Sequence, residues 1–280
     1  MTFYRLEPTR DPGDLREPVI IVAFDSWVDA GAASTSAAGL LVEDAPTVAR
    51  FDPDALFDYR ARRPTLEIVD GRPRELTWPE LTLRRASIGG RDLLVLVGPE
   101  PDYRWRELAE AAVELARELG VVQWISLGAI PAAVPHTRAV PVIGTASEQG
   151  LLRGDVEPGP EGILRVPAAC ISVLDMAVTR AGTPAVGYFA QVPHYISGPY
   201  APAALALSEA LGRHLGVELP QGALAEEARE LRERLDAATG LDETTRTYVQ
   251  RLEAMYDEAR LPSGDDLIAD IERFLRERSS

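Results

Sequence analysis

The sequence predicts an α/β protein with a mostly parallel sheet, followed by a charged helical region at the carboxyl end. Three observations lead there. Residues 19–24, Val-Ile-Ile-Val-Ala-Phe, form a continuous apolar, β-branched run that suits a strand buried on both faces. The order strand, turn, helix recurs with 92–97, 103–119 and 121–127, and this alternation specifies parallel strands joined by helices that cover the sheet. From residue 224 onward the pattern changes to charged sequence with apolar residues three and four apart, the spacing of amphipathic helices.

The elements follow in order. The first strand runs into an alanine-rich segment, 29–42, that suits a helix. Segments 65–69, 75–78 and 81–88 alternate in polarity and are broken by Asp70-Gly71 and Pro79, which predicts a meander of short strands able to pair antiparallel. After the third long strand come a strand at 139–144, a Gly- and Pro-rich loop at 150–162, a helix at 168–180, a strand at 185–189 and a helix at 201–215. The core is expected to end near Gly216, giving an α/β core domain over 1–216 and a carboxyl-terminal helical region over 217–280. That region is expected to hold helices at 224–238, 242–259 and 264–278, separated at Thr239-Gly240 and Pro262-Ser263-Gly264. Leu224, Ala228, Leu231 and Leu235 form one apolar stripe, and Ile268, Ile271, Phe274 and Leu275 another. Either stripe can pack on the core, on the other helices, or on a partner.

Composition narrows the chemistry. The chain has 280 residues, 46% of them hydrophobic and 26% charged, enough to bury a sizeable core. Its longest apolar runs fall far short of the roughly 20 residues a membrane helix needs, so no span is expected. The first twelve residues show neither an apolar core nor a small-residue cleavage site, and a cytoplasmic location is expected. One cysteine and three histidines exclude an internal disulfide and the usual zinc frameworks, so no metal site is expected. Cys170, set in an apolar stretch, reads as a buried structural thiol. A formal charge of −15 opposes a phosphate backbone, so nucleic acid is not an expected partner. All 29 basic residues are arginine, which excludes a Schiff base, a lysine nucleophile and the lysine of a P-loop. An ATP-dependent carboxylate–amine ligase is disfavoured for the same reason, and the 150–162 loop lacks a Gly-x-Gly-x-x-Gly spacing. No cofactor is expected.

Polar residues that could line a ligand pocket fall where strands end and helices begin, the usual crevice of a parallel sheet. The first turn supplies Asp25, Trp27 and Asp29. Asp25 and Asp29 could serve as acid and base or hold a metal, while Asp29 equally reads as a helix N-cap. Ser26 lies beside them without a Gly-x-Ser-x-Gly elbow. The second turn supplies Glu100, Arg104 and Arg106, which could form an anion pocket, or Glu100 and Arg104 could pair with each other. A proline-bounded loop carries His136 and Arg138, and His194 follows a later strand and could meet them. His214, within a helix, reads as structural. No residue is assigned a catalytic role.

Several ordered segments carry a further pattern: Ala23-Phe-Asp-Ser-Trp-Val-Asp-Ala-Gly31, Leu76-Thr-Trp-Pro79, Glu100-Pro-Asp-Tyr-Arg-Trp105, Leu127-Gly-Ala129, Pro135-His-Thr-Arg138 and Val192-Pro-His-Tyr195. With the charged carboxyl-terminal helices, they resemble the proteasome assembly chaperone 2 (PAC2) family as found in actinobacteria, over nearly the whole chain. The family's first turn commonly reads Gly-Trp-Asn-Asp-Ala-Gly, whereas here Ser26 replaces the glycine and Val28 the asparagine. The resemblance implies a three-layer α/β/α core similar to phosphorylase/hydrolase-like folds, an added helical region and homo-oligomers, with a trimer taken as the working state. It implies no known reaction. The first functional reading is therefore a non-catalytic, homo-oligomeric protein-binding factor of chaperone type. The alternative is a small-molecule binder or hydrolase/phosphorylase-like enzyme with its site at the carboxyl edge of the strands.

Overall fold

A computed structural model describes residues 3–7, 15–154, 156–159 and 162–260. The elements are β1 (Tyr4–Leu6), β2 (Val19–Asp25), a 3-10 turn (Ala30–Ala32), α1 (Ala33–Leu41), β3 (Thr47–Phe51), α2 (Pro53–Leu56), β4 (Thr65–Val69), β5 (Arg72–Thr77), β6 (Thr82–Ile88), β7 (Arg91–Pro99), α3 (Trp105–Glu118), β8 (Gln123–Ala132), β9 (Val142–Ala146), β10 (Glu157–Pro158), α4 (Cys170–Arg180), β11 (Ala185–Pro193), α5 (Ala201–Leu215), α6 (Leu224–Leu241) and α7 (Glu243–Ala259). Two compact units divide them, Met1–Ala132 with Val140–Leu231 and Ala133–Ala139 with Arg232–Ser280, each taken over its described residues. The second unit takes in the short segment 133–139 and begins again at Arg232, within α6, whereas the expected division lies at 216/217.

In the first unit a mixed sheet runs β1-β3-β6-β7-β2-β8-β11-β9-β10. Its centre, β7-β2-β8-β11, is parallel, and antiparallel strands flank it on both sides. Every residue of β2 except Asp25 is buried, as the unbroken apolar run requires of a strand covered on both faces. Alternation divides it: Ile20, Val22 and Phe24 join a core with Leu108, Ala112 and Leu115 of α3 and Ile171, Leu174 and Val178 of α4. Val19, Ile21 and Ala23 point the other way, where α1 packs against α5. The result is the expected α/β/α sandwich.

The structure departs from the sequence reading at several elements. The helix expected from 29 starts at Ala33, because Gly31 and Ala32 turn the chain with φ of 65° and 50°. Gly31 also lacks room for a side chain, since a Cβ there would lie 2.7 Å from Cβ of Tyr200. Of the expected meander, only β6 joins the main sheet, pairing antiparallel with β7, while β4 and β5 pair with each other in a separate two-stranded sheet. The short elements β1, β3 and α2 carry too few residues to show a period and escaped the sequence reading, as did β10 inside the 150–162 loop. Helix α6 continues through Thr239 and Gly240, and the break falls at Asp242, whose carboxylate accepts the Thr245 N–H at 2.7 Å and caps α7. The helix expected over 264–278 and its apolar stripe lie outside the described residues. No described helix is long and apolar enough to cross a membrane.

Candidate functional site

The carboxyl ends of β2 and β7 lie side by side, with Asp25 in register with Pro99. Asp25 is exposed, and its Oδ2 lies 3.8 Å from Nη1 of Arg62. It borders a cleft of about 670 Å³ together with Thr35, Glu75, Trp78, Glu80 and Arg84. Trp27, two residues on, is 53% exposed.

Asp29 is buried and committed to the start of α1. Its Oδ1 accepts the Ser34 N–H and hydroxyl, each at 2.7 Å, and the Thr35 N–H at 3.4 Å, while Oδ2 accepts the Thr35 hydroxyl at 2.5 Å. The carboxylate therefore caps the helix from a position upstream of its first residue, satisfying N–H groups that have no intrahelical partner.

Glu100 and Arg104 do not pair with each other. Oε1 of Glu100 accepts the Cys170 N–H at 2.7 Å at the start of α4, and burial raises the carboxyl pKa against the lowering effect of that bond. Arg104, with φ of 59° at the start of α3, bonds Glu107 at 3.2 Å and lies over the Phe3 ring at 4.8 Å. Burial pushes the Cys170 thiol well above its ordinary value, in keeping with a structural role.

His136 and Arg138 belong to the second unit and have their partners there. His136 is buried with Nε2 3.3 Å from Oδ1 of Asp236; burial lowers its pKa, and the Asp236 charge opposes that shift. Arg138 grips Asp257 with Nε at 2.9 Å and Nη2 at 2.7 Å and reaches Glu253 with Nη1 at 3.1 Å. The Thr137 hydroxyl also donates to Glu253, and Arg232 donates to the Thr137 carbonyl at 2.8 Å. His194, exposed in the first unit, bonds the Ala132 carbonyl through Nδ1 at 2.9 Å. His214 lies with Nδ1 2.6 Å from the Tyr188 hydroxyl, and burial takes its pKa down to about 4.

Two features escaped the sequence reading. Asp175 on α4 accepts the Trp124 indole N–H at 2.9 Å and the Ser126 hydroxyl at 2.5 Å. The residue as a whole keeps some exposure, but burial of its carboxyl raises the pKa to about 7. A lone carboxylate within Cys170-Ile-Ser-Val-Leu-Asp-Met-Ala-Val was the available signal. The second feature is apolar. Trp27 after β2, Tyr103 after β7 and Trp78 beside the cleft are exposed at this sheet edge, and Ile163, Leu164 and Val166, in the segment before α4, are exposed as well. The edge's polar side chains are largely taken up in caps and ion pairs, and what faces solvent is rich in large apolar groups.

The fold is that of the α/β/α proteins built on a mixed sheet with a parallel centre. The sequence matches the PAC2 family over residues 23–239, and the chain belongs to that family. A Corynebacterium glutamicum protein of unknown function is 30% identical with a TM-score of 0.85, covering 92% of this chain and 97% of its own. A PAC2 family protein from Streptomyces avermitilis is 36% identical with a TM-score of 0.75, covering 83% and 99%. A Mycobacterium tuberculosis proteasome-assembly chaperone homologue is 32% identical with a TM-score of 0.75, covering 82% and 99%. No match was found among curated proteins.

Proposed function

We propose that this chain is a cytoplasmic, homo-oligomeric factor that binds other proteins, in the manner of a proteasome-assembly chaperone. One observation carries the reading: the carboxyl edge of the sheet presents large apolar side chains to solvent, with Trp27 at 53% and Tyr103 at 50% exposure. Exposed apolar surface of this kind marks protein contact sites, because burying it against a partner releases the water it orders. Family membership and the likeness to a proteasome-assembly chaperone homologue support the choice of partner. The engagement of Asp29, Glu100 and Arg138 in capping and ion pairing supports binding over catalysis, since those groups already hold the chain together.

The test is a binding and assembly experiment with purified proteasome α- and β-subunits from the source organism. Immobilised protein is expected to retain subunits, and substitution Trp27→Asp with Tyr103→Asp is expected to reduce retention at least tenfold while the circular dichroism spectrum stays unchanged. Failure to retain either subunit, together with no change in the rate of ring assembly, would sink the reading.

A further inference from the structure

We propose that the cleft beside β6 binds the carboxyl terminus of a peptide, with the terminal carboxylate on Arg84 and a basic side chain of the peptide at the acidic mouth. The site uses neither Trp27 nor Tyr103, and it does not depend on proteasome subunits being the partners of the sheet edge.

The cleft follows from how β6 divides its residues. Leu81 and Leu83 lie in the core shared with α3 and α4, so alternation turns Thr82 and Arg84 to the opposite face of the sheet. On that face α1 packs against β2, β7 and β8. Between α1 and the end of β5 the cleft of about 670 Å³ stays open, lined by Thr82, Arg84 and Val97 from the sheet and by Leu76 and Trp78 from the hairpin root. That volume is the size of a small-ligand site.

Two polar groups in the cleft have donors to spare. Thr82 is 8% exposed, and its hydroxyl makes no hydrogen bond among the described residues. Arg84 is half-buried; its Nη1 donates to the Val42 carbonyl at 3.0 Å, and it makes no ion pair among the described residues of a chain with net charge −15. A guanidinium carries five donors in a planar fork, which a carboxylate accepts in pairs. The Thr82 hydroxyl, two residues along the same face, adds one more donor.

The carboxylates of the cleft stand elsewhere. Arg84 is in register with Val95 and Asp25 with Pro99, an offset of about 13 Å along the strands. Asp25 lies 3.8 Å from Arg62, Glu80 pairs with Arg50 at 2.6 Å, and Glu75 makes no ion pair among the described residues. The cleft is therefore basic along β6 and acidic where the strands end. A free α-amino acid holds its two charges too close together to reach both places. A peptide carboxyl terminus with a basic side chain upstream spans them, and its apolar groups meet Leu76, Trp78 and Val97.

Calorimetric titration of the full chain with the tripeptide acetyl-Lys-Ala-Leu tests the site. Saturable binding is expected, and amidating the peptide's carboxyl terminus is expected to weaken it at least tenfold. Arg84→Met is expected to weaken binding of the free acid by a similar factor and to make amidation indifferent, a loss of coupling that misfolding would not imitate. Asp25→Asn with Glu75→Gln is expected to weaken acetyl-Lys-Ala-Leu while leaving acetyl-Met-Ala-Leu unchanged. Gly39→Leu supplies a block that spares the fold, since Gly39 lines the cleft within α1 and a Cβ there would meet no atom within 4 Å; it is expected to abolish binding. No binding at millimolar peptide, equal binding of acid and amide by wild type, or an Arg84→Met protein that still tells acid from amide would each overturn the proposal. Subunit retention by the Gly39→Leu protein reads the other surface: retention with peptide binding lost upholds both sites, and peptide binding by a wild type that retains no subunit upholds the cleft and sinks the proposed function.

Discussion

Asp29 occupies a place where α/β crevices often hold a reactive carboxylate, and four accepted hydrogen bonds tie it to Ser34 and Thr35. Bonds to a charged acceptor stabilise more than neutral ones, and leaving buried donors unsatisfied adds to the loss. Asp29→Ala is therefore expected to lower unfolding free energy by about 3 kcal/mol in urea titrations, with Asp29→Asn losing less. A loss below about 1 kcal/mol would show that the cap contributes little. Much of this was legible, because an Asp just ahead of an alanine-rich helix suggests a cap. The actual donors were hidden by the turn at Gly31 and Ala32, which delays the helix and brings Ser34 and Thr35 to the carboxylate. Glu100 shows the opposite case. Its partner, the Cys170 N–H, lies 70 positions away, and no local pattern could pair them.

The helices of the second unit depend on contacts of the same long reach. Arg138 meets residues of α7 115 and 119 positions downstream, with Thr137 and Glu253 bonded alongside. The apolar spacing of 242–259 was enough to predict α7, but the tie to 133–139 was not, since ion pairing across such a separation is decided by folding. Arg138→Ala is expected to raise amide hydrogen exchange across 243–259 while exchange in β8 and β11 stays as in wild type. Unchanged exchange in α7 would show that the Arg138 fork does not order the helix. The hairpin is the counterpart in the first unit. Its strands were legible from their alternation and from Asp70-Gly71, yet their separation from the sheet was not, because alternation does not say which strand a strand will pair with.

Two buried groups give the whole molecule a pH response. The Asp175 pKa rises from 3.8 to about 7, so its protonated form is favoured by folding; the stability it contributes is complete below pH 4 and gone above about 7. The His214 pKa falls from 6.5 to about 4, so its neutral form is favoured; its contribution is present above pH 6.5 and lost as pH drops toward 4. Between pH 4 and 6.5 the slopes oppose, each at most about 1.4 kcal/mol per pH unit. Relative to wild type, Asp175→Asn is expected to make stability climb more steeply from pH 4 to 6.5, and His214→Gln to make it fall. Urea titrations at pH 4.5, 5.5 and 6.5 read both differences, and parallel curves would contradict them. The sequence by itself determined the layered α/β order, the helical carboxyl region and the family, since hydrophobic period and local motifs report which faces must be buried. Only the tertiary structure decided the antiparallel flanks, the free-standing hairpin, the split of the candidate residues between two units and the burial of Asp175 and His214. Those depend on which distant segments share a surface, and the shared surface in turn decides which polar groups lose water and which apolar ones keep it.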